Sequence, residues 1–89
     1  MKAVVTVIGK DKKGIIAKVS NLIADIGGNI EDISQTVMRD YFAMIMLVDM
    51  STADINIAET SQMLDKAGKN IGVSIRIQNE EIFNAMSKI

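Results

Sequence analysis

The chain has no cysteine and no histidine. The first absence excludes disulfides, thiolate nucleophiles and cysteine-ligated metals. The second removes the commonest general base and the commonest transition-metal ligand. Aromatic residues are 3% of the chain and tryptophan is missing, so the core must come from Ile, Val, Leu and Met. No apolar run approaches the roughly 20 residues of a membrane helix. Met1-Lys2 leads into a strand-like run rather than a signal peptide. A cytoplasmic protein with no membrane partner is expected. Ten basic and eleven acidic residues leave a net charge of -1. That balance lacks the positive excess that nucleic-acid binding requires.

What is present is apolar and evenly spread. Hydrophobic residues are 48% of 89 positions and mean hydropathy is +0.23, the composition of one folded domain rather than a disordered segment. A chain this short buries about 60–65% of its unfolded surface, so a second subunit would add needed core.

Ala3-Val4-Val5-Thr6-Val7-Ile8 is a β-branched run closed by Gly9 and apolar on both faces, which predicts a central strand. From Gly14, residues Ile15, Ile16, Val19, Leu22, Ile23 and Ile26 fall on one helical stripe that stops at Gly27-Gly28. Residues 29–38 predict a second, more polar strand at an edge. Arg39-Asp40 predicts a tight turn into a third strand over residues 41–50, whose two faces both want burial. Asn56 with Glu59 three residues on predicts a capping box. The helix it opens has a thinner stripe of Ile57, Leu64 and Ala67 and is expected to end near Gly68-Lys69-Asn70. Val73, Ile75 and Ile77 alternate with polar residues as a fourth strand. Asn79-Glu80-Glu81 opens a short last helix with Ile82, Phe83, Met86 and Ile89 on one face.

The order is βαββαβ plus a terminal helix, with two halves that repeat a strand–helix–strand plan. Right-handed crossovers then give an α+β, ferredoxin-like fold: a four-stranded antiparallel sheet with two helices on one face. Residues 1–78 form the domain and 79–89 its helical extension.

This fold hosts unrelated functions, so the site must decide. A metallochaperone of this shape needs a cysteine pair. An RNA-binding domain needs aromatics on its central strands. An acylphosphatase-type enzyme needs an arginine in the first loop, where this chain has Lys10, Asp11, Lys12 and Lys13. No catalytic residue, metal ligand or cofactor site is expected.

The loop and the second strand's start carry a resemblance instead. Asp11, two residues, then Gly14 at the first loop, with Asn29-Ile30 opening the second strand, resembles the ACT family of regulatory domains. The proline often found before that glycine is replaced here by Lys13. The chain is similar to the ACT modules of the glycine-cleavage repressor and of formyltetrahydrofolate deformylase, and to a small stand-alone bacterial group that shares the terminal helix. The resemblance implies a homodimer or higher homo-oligomer, paired through the second strand and first helix. It also implies an amino-acid ligand held at the seam by Gly9, Lys10, Asp11, Gly14 and Ile15 of one subunit and Asn29 and Ile30 of the other.

Each residue also has a structural role open to it: Asp11 as the cap of the first helix, Gly14 as room for helix–strand packing, Asn29 as the close of a turn. Two functions follow. One is a non-catalytic regulatory module that binds an amino acid or similar metabolite. The other is a dimeric adaptor that contacts a protein partner and has no small-molecule ligand.

Overall fold

The computed structural model describes residues 1–10 and 13–87, apart from the side chains of 83 and 85–87. The chain runs β1 (Lys2–Lys10), α1 (Ile15–Asp25), β2 (Asn29–Met38), β3 (Tyr41–Asp49), α2 (Ile57–Ile71), β4 (Ser74–Asn79) and α3 (Glu80–Ser87). The sheet order is β2-β3-β1-β4, with every neighbouring pair antiparallel. β1 and β3, apolar on both faces, take the centre, as their composition demands.

One face of the sheet carries the core. Ala3, Val5 and Val7 of β1, Met44, Met46 and Val48 of β3 and Ile75 and Ile77 of β4 are buried against Ile15, Val19, Ile23 and Ile26 and against Leu64 of α2. Thr60 is the one polar side chain fully buried among the described residues, and its hydroxyl donates to the Asn56 carbonyl at 2.8 Å.

The helix ends show which sequence signals carried structure. Asn56 accepts from the Glu59 N–H at 2.8 Å and caps α2 as expected. α1 ends in a Schellman turn: the Gly27 N–H reaches the Ala24 carbonyl at 2.9 Å and the Gly28 N–H reaches that of Ile23 at 3.0 Å. Gly27 sits at φ 83°, and a Cβ there would lie 2.5 Å from the Thr52 carbonyl oxygen.

α2 passes the expected stop at Gly68 and ends at Gly72, which is left-handed at φ 78°. Gly68 is glycine for another reason. Its Cβ would lie 2.6 Å from the Val73 carbonyl, so the missing side chain lets α2 close onto the entry to β4.

β2 contains a bulge between Ile30 and Asp32 that strand periodicity did not predict. The extra residue, Glu31, accepts a hydrogen bond from the Lys2 ammonium. By this insertion Ile30 lies opposite Val48 and Ile33 opposite Met46, and both face the helices although three residues apart. Gln35 and Val37 follow on that face; Asp32, Ser34, Thr36 and Met38 take the other.

α3 packs against β1 and β4. Val4 points away from the core side of the sheet yet is only 6% exposed, which places α3 over this second face. Asn79 caps α3 by accepting from the Glu81 N–H at 2.8 Å. Ile82, expected to pack, is instead 57% exposed. The rest of that expected face, Phe83, Met86 and Ile89, lies outside the described side chains.

Near the start of β1, Asp49 accepts from the Ser51 hydroxyl at 2.5 Å and its N–H at 2.9 Å, and these bonds hold the Asp49 carboxyl below its usual range. The hydrogen bond to Glu31 raises Lys2.

Two predictions follow from these turns. Gly14→Ala meets open space and incurs only the left-handed backbone cost, about 1–2 kcal/mol, whereas Gly27→Ala adds the collision with Thr52 and loses more in urea unfolding. Equal losses would show that the Thr52 loop yields freely. Asp49, with its lowered pKa, stabilises the fold above the ordinary carboxylate range of about 4, and that contribution is lost as pH falls through its folded value. Ser51→Ala should therefore move the Asp49 titration upward in an NMR pH series.

Candidate functional site

The expected site residues form two groups. Gly9 and Lys10 end β1, beside Phe42 and Tyr41 of β3. Gly9 is glycine because a Cβ would run into the Val73 side chain, so the chain leaves the sheet tightly under the start of β4. The Lys10 ammonium stands 5.5 Å above the Tyr41 ring centroid, a cation–π contact on the face away from α1 and α2. Asp11 lies outside the described residues.

Gly14 occupies the cap position of α1 at φ 80°, exposed, with nothing among the described residues within 4 Å of where its Cβ would be. Two structural readings of this loop are thereby corrected. The cap position falls to Gly14, three residues after Asp11, and Gly14 makes no room for packing; its backbone conformation is what selects glycine. Ile15 sends its side chain into the core, so only its main chain can face the loop.

α1 opens with no side-chain cap at Gly14 and no acidic residue in its first turn. Its first intrahelical bond runs from the Lys18 N–H to the Gly14 carbonyl at 3.0 Å. The N–H groups before it and the positive end of the helix dipole face the loop without a carboxylate from the first turn. Such an end attracts anions.

Asn29 and Ile30 form the second group. Asn29 is exposed opposite Asp49; Ile30 is half-buried opposite Val48. The first loop adjoins Tyr41 and hence the Met38 end of β2, at the other end of the sheet. Nine residue steps along β2 span about 30 Å. One chain therefore does not bring the two groups together. An antiparallel pairing of two β2 strands sets the Asn29 end of one copy beside the Met38 end of the other.

β2 has the surface for such a pairing. It is an outer strand of ten residues, exposed at every position except half-buried Ile30. On its helix side Ile33 is 37% and Val37 70% exposed, since α1 does not reach over them. Lys18, Asn21, Leu22 and Asp25 of α1 line a groove of about 320 Å³ toward α2. At about 100° per residue, Ile16, Ser20 and Ala24 lie on the opposite flank, toward β2. The uncovered strand and this small-residue flank form one continuous shelf. Sequence reasoning saw a polar edge strand but missed this shelf, because the Glu31 bulge is what aligns Ile30, Ile33 and Val37.

A second groove, of about 430 Å³, runs between α2 and β4 past Ser61, Asp65 and Arg76. Neither groove includes any of the expected ligand residues. Among the described residues no group of three or more Asp and Glu could hold a metal, and no helix is long and apolar enough to cross a membrane.

The comparisons with known proteins agree with this architecture. The ACT domain profile matches residues 2–78. A UPF0237 protein of Clostridium acetobutylicum is 54% identical over 89 residues, 100% of both chains. An ACT domain protein from Streptococcus pneumoniae has a TM-score of 0.83 at 44% identity, covering 93% of each chain. A structure described as a glycine cleavage system transcriptional repressor has a TM-score of 0.74 at 25% identity, over 86% of this chain and 44% of its own. A formyltetrahydrofolate deformylase from Pseudomonas syringae is similar in fold, with a TM-score of 0.79 at 22% identity, over 88% of this chain and 27% of its own. ACT domains are regulatory modules that typically dimerise and often bind small ligands. With the profile spanning residues 2–78, the whole βαββαβ unit, the chain belongs to the ACT domain family.

Proposed function

We propose that the chain is a non-catalytic regulatory module, a homodimer formed through β2 and α1 that binds an amino acid or similar small zwitterion at the seam. The observation that carries this reading is the shelf along β2. A ten-residue edge strand with Ile33 and Val37 uncovered invites pairing. Antiparallel pairing with a second copy extends the sheet to eight strands and covers both residues. It also joins the first loop of one chain to the Asn29 end of the other.

The chemistry at that junction suits a zwitterion. The N–H groups at the start of α1, which has no acidic residue in its first turn, receive the ligand carboxylate. Asp11 meets its ammonium group, and the second copy's Asn29 supplies an amide that can donate to one end or accept from the other. Lys10 adds positive charge to the approach. Ile15 and Ile30 contribute main chain and backing rather than polar contacts.

Two measurements test the reading. Val37→Glu replaces no core contact in the single chain, so it should leave the fold intact and convert the dimer to monomer in sedimentation velocity; an unchanged mass would remove β2 from the interface. Thermal shifts against the proteinogenic amino acids should show a ligand at about 100 times its dissociation constant adding about 2.7 kcal/mol. Asn29→Ala should abolish that shift and keep the dimer. A flat response across the panel, with the dimer present, would support the adaptor function instead.

A further inference from the structure

The second face of the sheet, opposite α1 and α2, is half covered. Along β1 it presents Lys2, Val4, Thr6, Ile8 and Lys10, and along β3 Tyr41, Ala43, Ile45, Leu47 and Asp49. A solvated antiparallel face alternates polar residues outward. Here the two central strands are instead aliphatic between their ends except at Thr6, and charged only at their ends. α3 closes over one end and leaves Val4 6% exposed; toward the other end Ile8 is 52% and Ile45 45% exposed.

The covered and uncovered ends are related. Ser34, Ile45, Thr6 and Arg76 stand in one row across the four strands. A two-fold axis parallel to that row and above this face sets Val4 opposite Ile8, Lys2 opposite Lys10, and Leu47 opposite Ala43. In a pair built on this axis, the helix that buries Val4 of its own sheet lies over Ile8 of the other copy. The apolar ridge and the recess it would fill thus belong to the same chain, the requirement of an isologous contact. Ile82, 57% exposed on α3, is the side chain that we assign to that recess.

Charge sets the direction. Glu80 and Glu81 open α3 near Lys2, at the end of β1 that also holds Glu31, Asp32 and Asp49. The opposite end carries Lys10, Lys13 and Arg39. The two-fold sets each acidic helix start against the basic end of the other sheet, with Glu80 facing Lys10 as it faces Lys2 at home.

We propose that this face is a docking surface for a second copy of the same chain, with α3 of each copy seated on Ile8 and Ile45 of the other. The contact is separate from the β2 edge. Its axis runs parallel to the sheet, between the two copies, whereas a β2 pairing that keeps the helices on one side has its axis perpendicular to the sheet. The two axes together close at four chains.

Single-thiol variants test the contact in a chain that has no native cysteine. Ile8→Cys and Ile82→Cys, mixed in equal amounts, equilibrated and oxidised, should give at least ten times more covalent dimer than either variant alone. In sedimentation equilibrium, Ile82→Glu should halve the mass of the wild-type assembly without changing its circular dichroism. Lys10→Glu should weaken association about tenfold and Glu80→Lys in the same chain should restore it. Equal cross-linking in all three oxidised samples, or a mass unmoved by Ile82→Glu, would overturn the proposal. Val37→Glu acts at the β2 edge, so loss of that interface is read separately from loss of this one.

Discussion

Everything in this molecule is arranged around the pairing of β1 with β3. Both strands are apolar on successive residues, and such strands are satisfied only between neighbours, with cover above and below. Their register, Lys2 with Asp49 through Lys10 with Tyr41, fixes the centre of the sheet. β4 and β2 then have only the outer places left. α1 and α2 close one face because Ala3, Val5, Val7, Met44, Met46 and Val48 present a continuous aliphatic surface there. The cost of this plan falls on β2, which has a partner on one side only and more apolar surface than one helix can cover.

With so few aromatics, the core relies on many small aliphatic contacts rather than a few large ones. Met44 and Met46, both fully buried, fill the space beneath α1 where branched residues would need a closer match of shape. The glycines complete this packing at the joints. Gly68 lets α2 approach β4, and Gly28 lets the entry to β2 pass close to Ile23 and Val48.

The order of elements was readable because hydrophobic periodicity changed cleanly between 2 and 3.6 along the chain. β2 begins and ends where its residues indicated, and the Asn56 cap was visible as a pattern of two residues. What escaped reading depends on contacts distant in sequence. Gly68 resembles a helix stop until Val73 is seen against it. The exposure of Ile82 depends on how α3 meets β1, which its own sequence does not specify. For the candidate site, residue types were legible but distance was not. Gly14 and Asn29 look like parts of one unit in the sequence, only fifteen positions apart, and they stand at opposite ends of the sheet.

The bulge at Glu31 has a consequence for how this surface can change over time. Substitution anywhere in β2 alters one side chain on one face. Straightening the bulge so that Glu31 joined the ladder would exchange the two faces of everything before it relative to everything after it. Ile33 and Val37 would no longer continue the line of Ile30, and the shelf beside α1 would be cut in two. The character of this edge is thus written in the spacing of the chain as much as in its letters: loss of Glu31 would keep both faces as they are, whereas pairing it would turn half the strand over.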